Sequence, residues 1–243
     1  MATAHTVSGT AFKRVWVCGM PRCGSMWSMN VARTLLDGVG YDVQPAHIPL
    51  SRDDAAAEAA KSYADPEPAR VWVLKLHGQI QPAASGTRLI VPWRDPRDVL
   101  ISYQRFVHCS FERALHAAVV STGDLDYYRT LTGARTLFLP YAVVGTAEGV
   151  NRIGTFLDAL PDDADAVVDR FRKDRIDGYA RRGTVQVKNF DGSSRAYDVL
   201  TGFQSGHVSD YRDGDWQTLL THDQKRQMGA ALDPWLRANG LSP

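Results

Sequence analysis

The segment from Val15 to Leu36 narrows the choice of fold more than any other. A short apolar run, Val15-Trp16-Val17-Cys18, feeds the loop Gly19-Met20-Pro21-Arg22-Cys23-Gly24. A helical pattern then opens at Ser25, with apolar residues at Met26, Met29, Leu35 and Leu36, and closes at Gly38. A buried strand, a glycine loop and a helix in immediate succession form the repeating unit of an α/β fold. Such a loop can aim backbone N–H groups at a phosphate, and the helix N-terminus adds about half a positive charge. The spacing is GxxxxG, but Ser25 stands where a nucleoside-triphosphate loop has Lys followed by Ser or Thr. A cation for the loop must therefore come from within it, and Arg22 is placed to supply one. Taken alone, the same segment is equally a plain connection between two elements.

Three more apolar runs have the short, β-branched character of strands covered on both faces: VWVLKL at 71–76, RLIVPW at 88–93 and TLFLPY at 136–141. Helical patterns lie at Pro96–Arg105, Phe111–Val120, Thr146–Leu160, Asp162–Lys173 and Asp223–Ala238. Alternation of this kind predicts a three-layer α/β domain on a central parallel sheet, one unit over residues 1–243. Residues 51–70 are Ala-rich, acidic at the start and Pro-rich at the end, which predicts an exposed helix, a turn and a candidate lid. Residues 184–199 alternate around Asp191-Gly192 and predict an inserted β-hairpin.

Charge settles what the partners are not. Lys plus Arg number 28 against 27 Asp plus Glu, so no global field draws in nucleic acid and any anion site must be local. No stretch reaches the roughly 18 apolar residues of a membrane span, and no signal peptide is visible. Three cysteines without metal-ligand spacing predict a reducing, cytoplasmic setting and no disulfide framework. A homo-oligomer is compatible with the sequence and not indicated by it.

Chemistry-bearing residues gather at the ends of the predicted strands. In RLIVPWRDPRDVLISY, Arg94 ends a strand, Asp95 caps a helix whose first position is Pro96, and Ser102 follows about two turns later. The plainer reading is a solvated, capped helix start. Lys75 and His77 share one face at the end of VWVLKLHG, where ligands of open parallel sheets bind. A His after a strand is also commonly a structural residue. Cys23, inside the loop and at a helix N-terminus, is expected to have a lowered thiol pKa and to be sensitive to oxidants.

PRCGSMW at 21–27 resembles the P-K-S-G-T-T-W phosphosulfate loop of the PAPS-dependent sulfotransferases, with Arg22 in the place of the usual Lys. The similarity is to the cytosolic-type and bacterial small-molecule branches, PAPS being 3′-phosphoadenosine 5′-phosphosulfate. RDPRDVLIS at 94–102 is similar to the family's R-N-P-K-D-V-x-x-S, and VLKLHG to its K-T-H segment. The resemblance implies PAPS as cosubstrate, PAP as product and no metal. It assigns Arg22, Cys23, Gly24, Ser25, Met26 and Trp27 to the 5′ end of the nucleotide, and Arg94 with Ser102 to the 3′-phosphate. His77 becomes the base, with Lys75 and Arg22 at the leaving phosphate.

Tyr141 stands where the family has an adenine-contacting Tyr, although a core aromatic reads the same way. DGDWQTLLT resembles G-D-W-K-x-x-F-T, but HVSDYR replaces the R-K-G triplet ahead of it, leaving Arg212 as the nearest substitute contact. The implied reaction is sulfuryl transfer to a hydroxylated small-molecule acceptor. A P-loop kinase, which would need Mg²⁺, and a nucleotide-binding module without turnover stand as alternatives. The acceptor pocket is expected from loops in 41–70, 108–130 and 178–210, where Tyr127, Tyr128, Phe190 and Tyr197 would suit a ring.

Overall fold

The computed structural model describes residues 12–80, 85–131, 135–183, 185–208 and 212–242. β1 (Arg14–Cys18) is the centre of a five-stranded sheet. β3 (Arg70–Leu76) pairs with one edge of β1 and β4 (Thr87–Trp93) with the other, both parallel. The short β2 (Asp42–Gln44) and β5 (Arg135–Pro140) form the parallel edges, so the strand order is β2-β3-β1-β4-β5.

Period-2 alternation along β1 divides the core into the two expected halves. Val15 and Val17 pack on α1 (Ser25–Gly38) and α5 (Ala147–Leu157). Trp16 and Cys18 face the other way, toward α3 (Pro96–Val107) and α4 (Phe111–Thr130). α9 (His222–Ala238) closes a third cluster against α3 and α4. α2 (Arg52–Ala64) lies over β3 and starts with a capping box, in which Ser51 and Asp54 satisfy each other's backbone N–H.

The hairpin is present as β6 (Val185–Lys188) and β7 (Ser194–Tyr197), antiparallel, with Asp191 and Gly192 in its turn. Between α5 and the hairpin, the helix expected over 162–173 is α6 (Ala164–Arg170), which stops short, and a second helix, α7 (Lys173–Arg182), follows where none was expected. Phe171 interrupts by turning into the core. The fifth strand, β2, lacked any apolar run: Asp42 and Gln44 hydrogen-bond each other at an exposed sheet edge. A single turn, α8 (Trp216–Leu219), precedes α9.

Candidate active site

The strand ends β1, β3 and β4 converge on the loop 19–24, and two glycines make its path passable. A Cβ on Gly19 would lie 2.3 Å from the Pro92 carbonyl oxygen of β4. Gly24 has φ +83°, and a Cβ there would meet Val144 at 2.5 Å. Gly24 is also the N-cap of α1, and no side chain caps that helix. The first-turn N–H groups of a helix have no partner within it, so α1 presents them, with the positive end of its dipole, at the loop.

Arg22 carries the loop's cation from a left-handed backbone, φ +63°. Three contacts fix its side chain. Nε donates to Ser102 Oγ at 3.1 Å, Nη2 donates to the His207 carbonyl at 2.7 Å, and the guanidinium lies 3.8 Å from the Phe106 ring centroid. Burial pulls Arg22 down to about 10, still protonated at neutral pH. Lys75 emerges from β3 nearby. Burial, then the Arg22 charge, brings its ammonium down to about 8.

His77 is positioned through its backbone and its neighbours' backbone. Arg52 Nη2 from α2 donates to the His77 carbonyl at 2.9 Å, and the Tyr128 hydroxyl from α4 donates to the Gly78 carbonyl at 2.5 Å. The imidazole is exposed at the cleft mouth. Its pKa is held well below the ordinary histidine value, first by the Lys75 ammonium, with Arg52 adding to it. For a ring this open to solvent, repulsion between cations is the cause that carries weight. The imidazole is therefore neutral at pH 7.

Arg22, Gly24, Ser25, Met26, Trp27, Lys75, His77, Ser102 and Tyr141 line one cavity of about 690 Å³. Arg94 stands just behind it. Its guanidinium lies 4.1 Å from the Tyr141 ring centroid, and Nε and Nη2 both donate to Asp213 Oδ1, at 2.8 and 2.5 Å. Ser102, assigned with Arg94 to the 3′-phosphate, accepts from Arg22. Asp98, pushed up to about 6 by burial, accepts from the Gly214 N–H at 2.9 Å. Asp98 and Arg94 thereby tether the turn at 213–214. Arg212, on the same turn, is exposed and is not among the residues lining the cavity.

Cys23 departs from expectation. Its thiol is fully buried, with the carbonyls of Met20 and Pro92 both within reach of its single proton. Burial pushes it up to about 12, outweighing the Lys75 and Arg22 charges, so the helix N-terminus does not make this a reactive thiolate. The aromatics expected around an acceptor are divided as well. The Tyr127 and Tyr128 hydroxyls hold main-chain carbonyls, and Phe190 sits at the exposed hairpin tip under Arg113.

His207 escaped the sequence reading, because one His in an irregular stretch carries no local pattern. It lines the same cavity, with its ring 5.3 Å from Phe106 and 5.5 Å from Phe203. Nδ1 accepts the Gln204 N–H at 3.3 Å, which leaves the ring proton on Nε2. Burial, then the Arg22 and Lys75 charges, keeps this imidazole neutral.

Among the described residues no helix is long and apolar enough to cross a membrane. Neither a scan with protein-family models nor a search of curated proteins gives a match. Solved structures do match. Retinol dehydratase with androsterone and the inactive cofactor PAP aligns with a TM-score of 0.59 at 12% identity, over 92% of this chain and 80% of that one. Retinol dehydratase with retinol and PAP gives 0.58 at 11%, over 93% and 82%. A sulfotransferase domain from the Synechococcus PCC 7002 olefin synthase aligns at 0.46 with 15% identity, over 93% and 96%. At such identities the common property is the path of the backbone: the chain has the α/β fold of retinol dehydratase.

Proposed function

We propose that the chain is a sulfotransferase that moves a sulfuryl group from PAPS to a hydroxyl of a small-molecule acceptor. The observation that carries this reading is the meeting of Arg22, Lys75 and neutral His77 on one cavity with the uncapped N-terminus of α1. The retinol dehydratase structures, which hold PAP in the same fold, support it.

The residues present suit the nucleotide. The α1 N–H groups and Arg22 offer an anion cradle, and Trp27 lines the cavity with a buried Nε1–H that lacks a hydrogen-bond partner. A buried donor without a partner is costly, and a ligand acceptor would relieve it. Tyr141, stiffened by Arg94 on its face, adds a flat wall.

PAPS, when bound, supplies the sulfuryl group. His77 takes the proton of the acceptor hydroxyl while that oxygen bonds to sulfur and the bond from sulfur to the 5′-phosphate oxygen breaks. Arg22 and Lys75 face the negative charge that the breaking bond leaves on the phosphate. His207 offers Nε2–H as an uncharged donor to the same site. A kinase would use the same cradle with ATP and Mg²⁺. Calorimetric titration separates the readings: PAP binds without metal and ATP with Mg²⁺ binds far more weakly. The reverse order would overturn the proposal.

The pH dependence follows from the two shifted groups. Since kcat/KM reports on the free enzyme, the value for PAPS falls as pH rises through about 8, where Lys75 loses its charge. The loss approaches roughly tenfold per unit if charged Lys75 is required. No fall appears near pH 6.5, because His77 is neutral already. A profile with its acid limb at 6.5 and flat above 8 would contradict both assignments.

A further inference from the structure

α2 is a well-capped helix that meets the core sparsely, through Ala55 and Ala59. Of its 13 residues only Ala55 and Ser62 are buried. Helices in proteins derive most of their stability from burying an apolar face, yet this one faces a hollow of about 960 Å³. Ala55, Ala56, Ala59 and Ala60 line that hollow, two neighbouring positions repeated one helical turn apart, so they share a face. Leu50 and Tyr63, at 50% and 43% exposure, are large hydrophobics left open on the same hollow.

The far end of the hollow is polar. Lys75, His77 and Gln204 line both it and the nucleotide cavity, and Gln204 Oε1 is buried there with no hydrogen-bond partner. Among the described residues no Asp or Glu lines the hollow; its other polar lining residues are Ser51, Gln79, Tyr197 and Arg52, the last donating to the His77 carbonyl. A cationic ligand would find no countercharge, an anionic group would meet one only at the Lys75 and Arg52 end, and a sugar laid along the alanine face would bury hydroxyls without partners.

We infer that this hollow is the acceptor site, that it takes an uncharged, largely hydrocarbon alcohol with its hydroxyl at His77, and that the ligand supplies the packing α2 lacks. The assignment of the hydroxyl to His77 rests on the sulfotransferase reading. The filling of the hollow does not.

The test uses the full chain, with and without PAP, and the straight-chain probes hexan-1-ol, octan-1-ol and decan-1-ol beside glucose. Affinity is expected to rise about fourfold per added methylene, the equivalent of ~0.8 kcal/mol each, and glucose to remain unbound. At ten times its Kd, a ligand that requires α2 in place slows amide exchange across 52–64 about tenfold. Ala59→Phe, which fills the hollow, is expected to weaken decan-1-ol more than tenfold while PAP affinity holds.

Chain-length independence, binding of glucose, or unaltered exchange in α2 on the native protein each overturns the inference, whether or not Ala59→Phe folds. Failure of PAP to bind would instead defeat the sulfotransferase reading, and the alcohol titration of the nucleotide-free chain would still decide this one.

Discussion

His77→Ala loses turnover by roughly 10²- to 10⁴-fold, the usual contribution of a positioned general base, and binds PAP as tightly as the native chain. The two effects separate because the turn is held by main-chain oxygens. Arg52 bonds the His77 carbonyl and Tyr128 the Gly78 carbonyl, and neither contact involves the imidazole. The ring is exposed, so its loss opens no core cavity. Single-turnover sulfate transfer with a reactive phenol as acceptor reads the rate, and calorimetry with PAP reads the binding. A variant within a few-fold of the native rate would remove His77 from the reaction.

Arg22→Ala is expected to have the second largest effect, a loss of PAP affinity of about 10- to 150-fold, corresponding to one hydrogen-bonded charge worth ~1.5 to 3 kcal/mol. Arg22 joins three elements at once: the loop itself, α3 through Ser102 and Phe106, and the 204–207 turn through the His207 carbonyl. Arg22→Lys restores the charge but not the fork, so it recovers only part of the affinity. Arg94 behaves differently because a carboxylate already occupies it. An incoming phosphate must displace Asp213, so Arg94→Ala costs less than Arg22→Ala, while Asp213→Asn tightens PAP several-fold. Equal losses for the two arginines, or weaker binding by Asp213→Asn, would show that the Arg94–Asp213 pair does not compete with the ligand.

Much of this arrangement is legible in the sequence. β1, β3 and β4 were marked by apolar runs because strands buried on both faces need no polar alternation. Pro96 and Asp95 marked the start of α3, where Asp95 caps the Arg97 N–H. The Asp-Gly turn marked the hairpin. β2 was invisible because an edge strand of three residues, two of them polar, has no pattern. The break between α6 and α7 was equally hidden, since it depends on Phe171 finding the core formed with Phe203, more than thirty residues away.

The sequence by itself determined the loop, its glycines, Arg22 within it and the placement of Lys75, His77 and Arg94 at strand ends, because each depends on backbone conformation and side-chain type over a few residues. Which partners those groups take was decided by tertiary contacts. Ser102 accepts from Arg22, Asp213 reached Arg94 from 119 residues away, and the Cys23 thiol was driven inward against Pro92. His207 and the hollow beneath α2 likewise exist only once distant segments meet. Charge pairing and burial depend on distances between chain segments that no local pattern encodes.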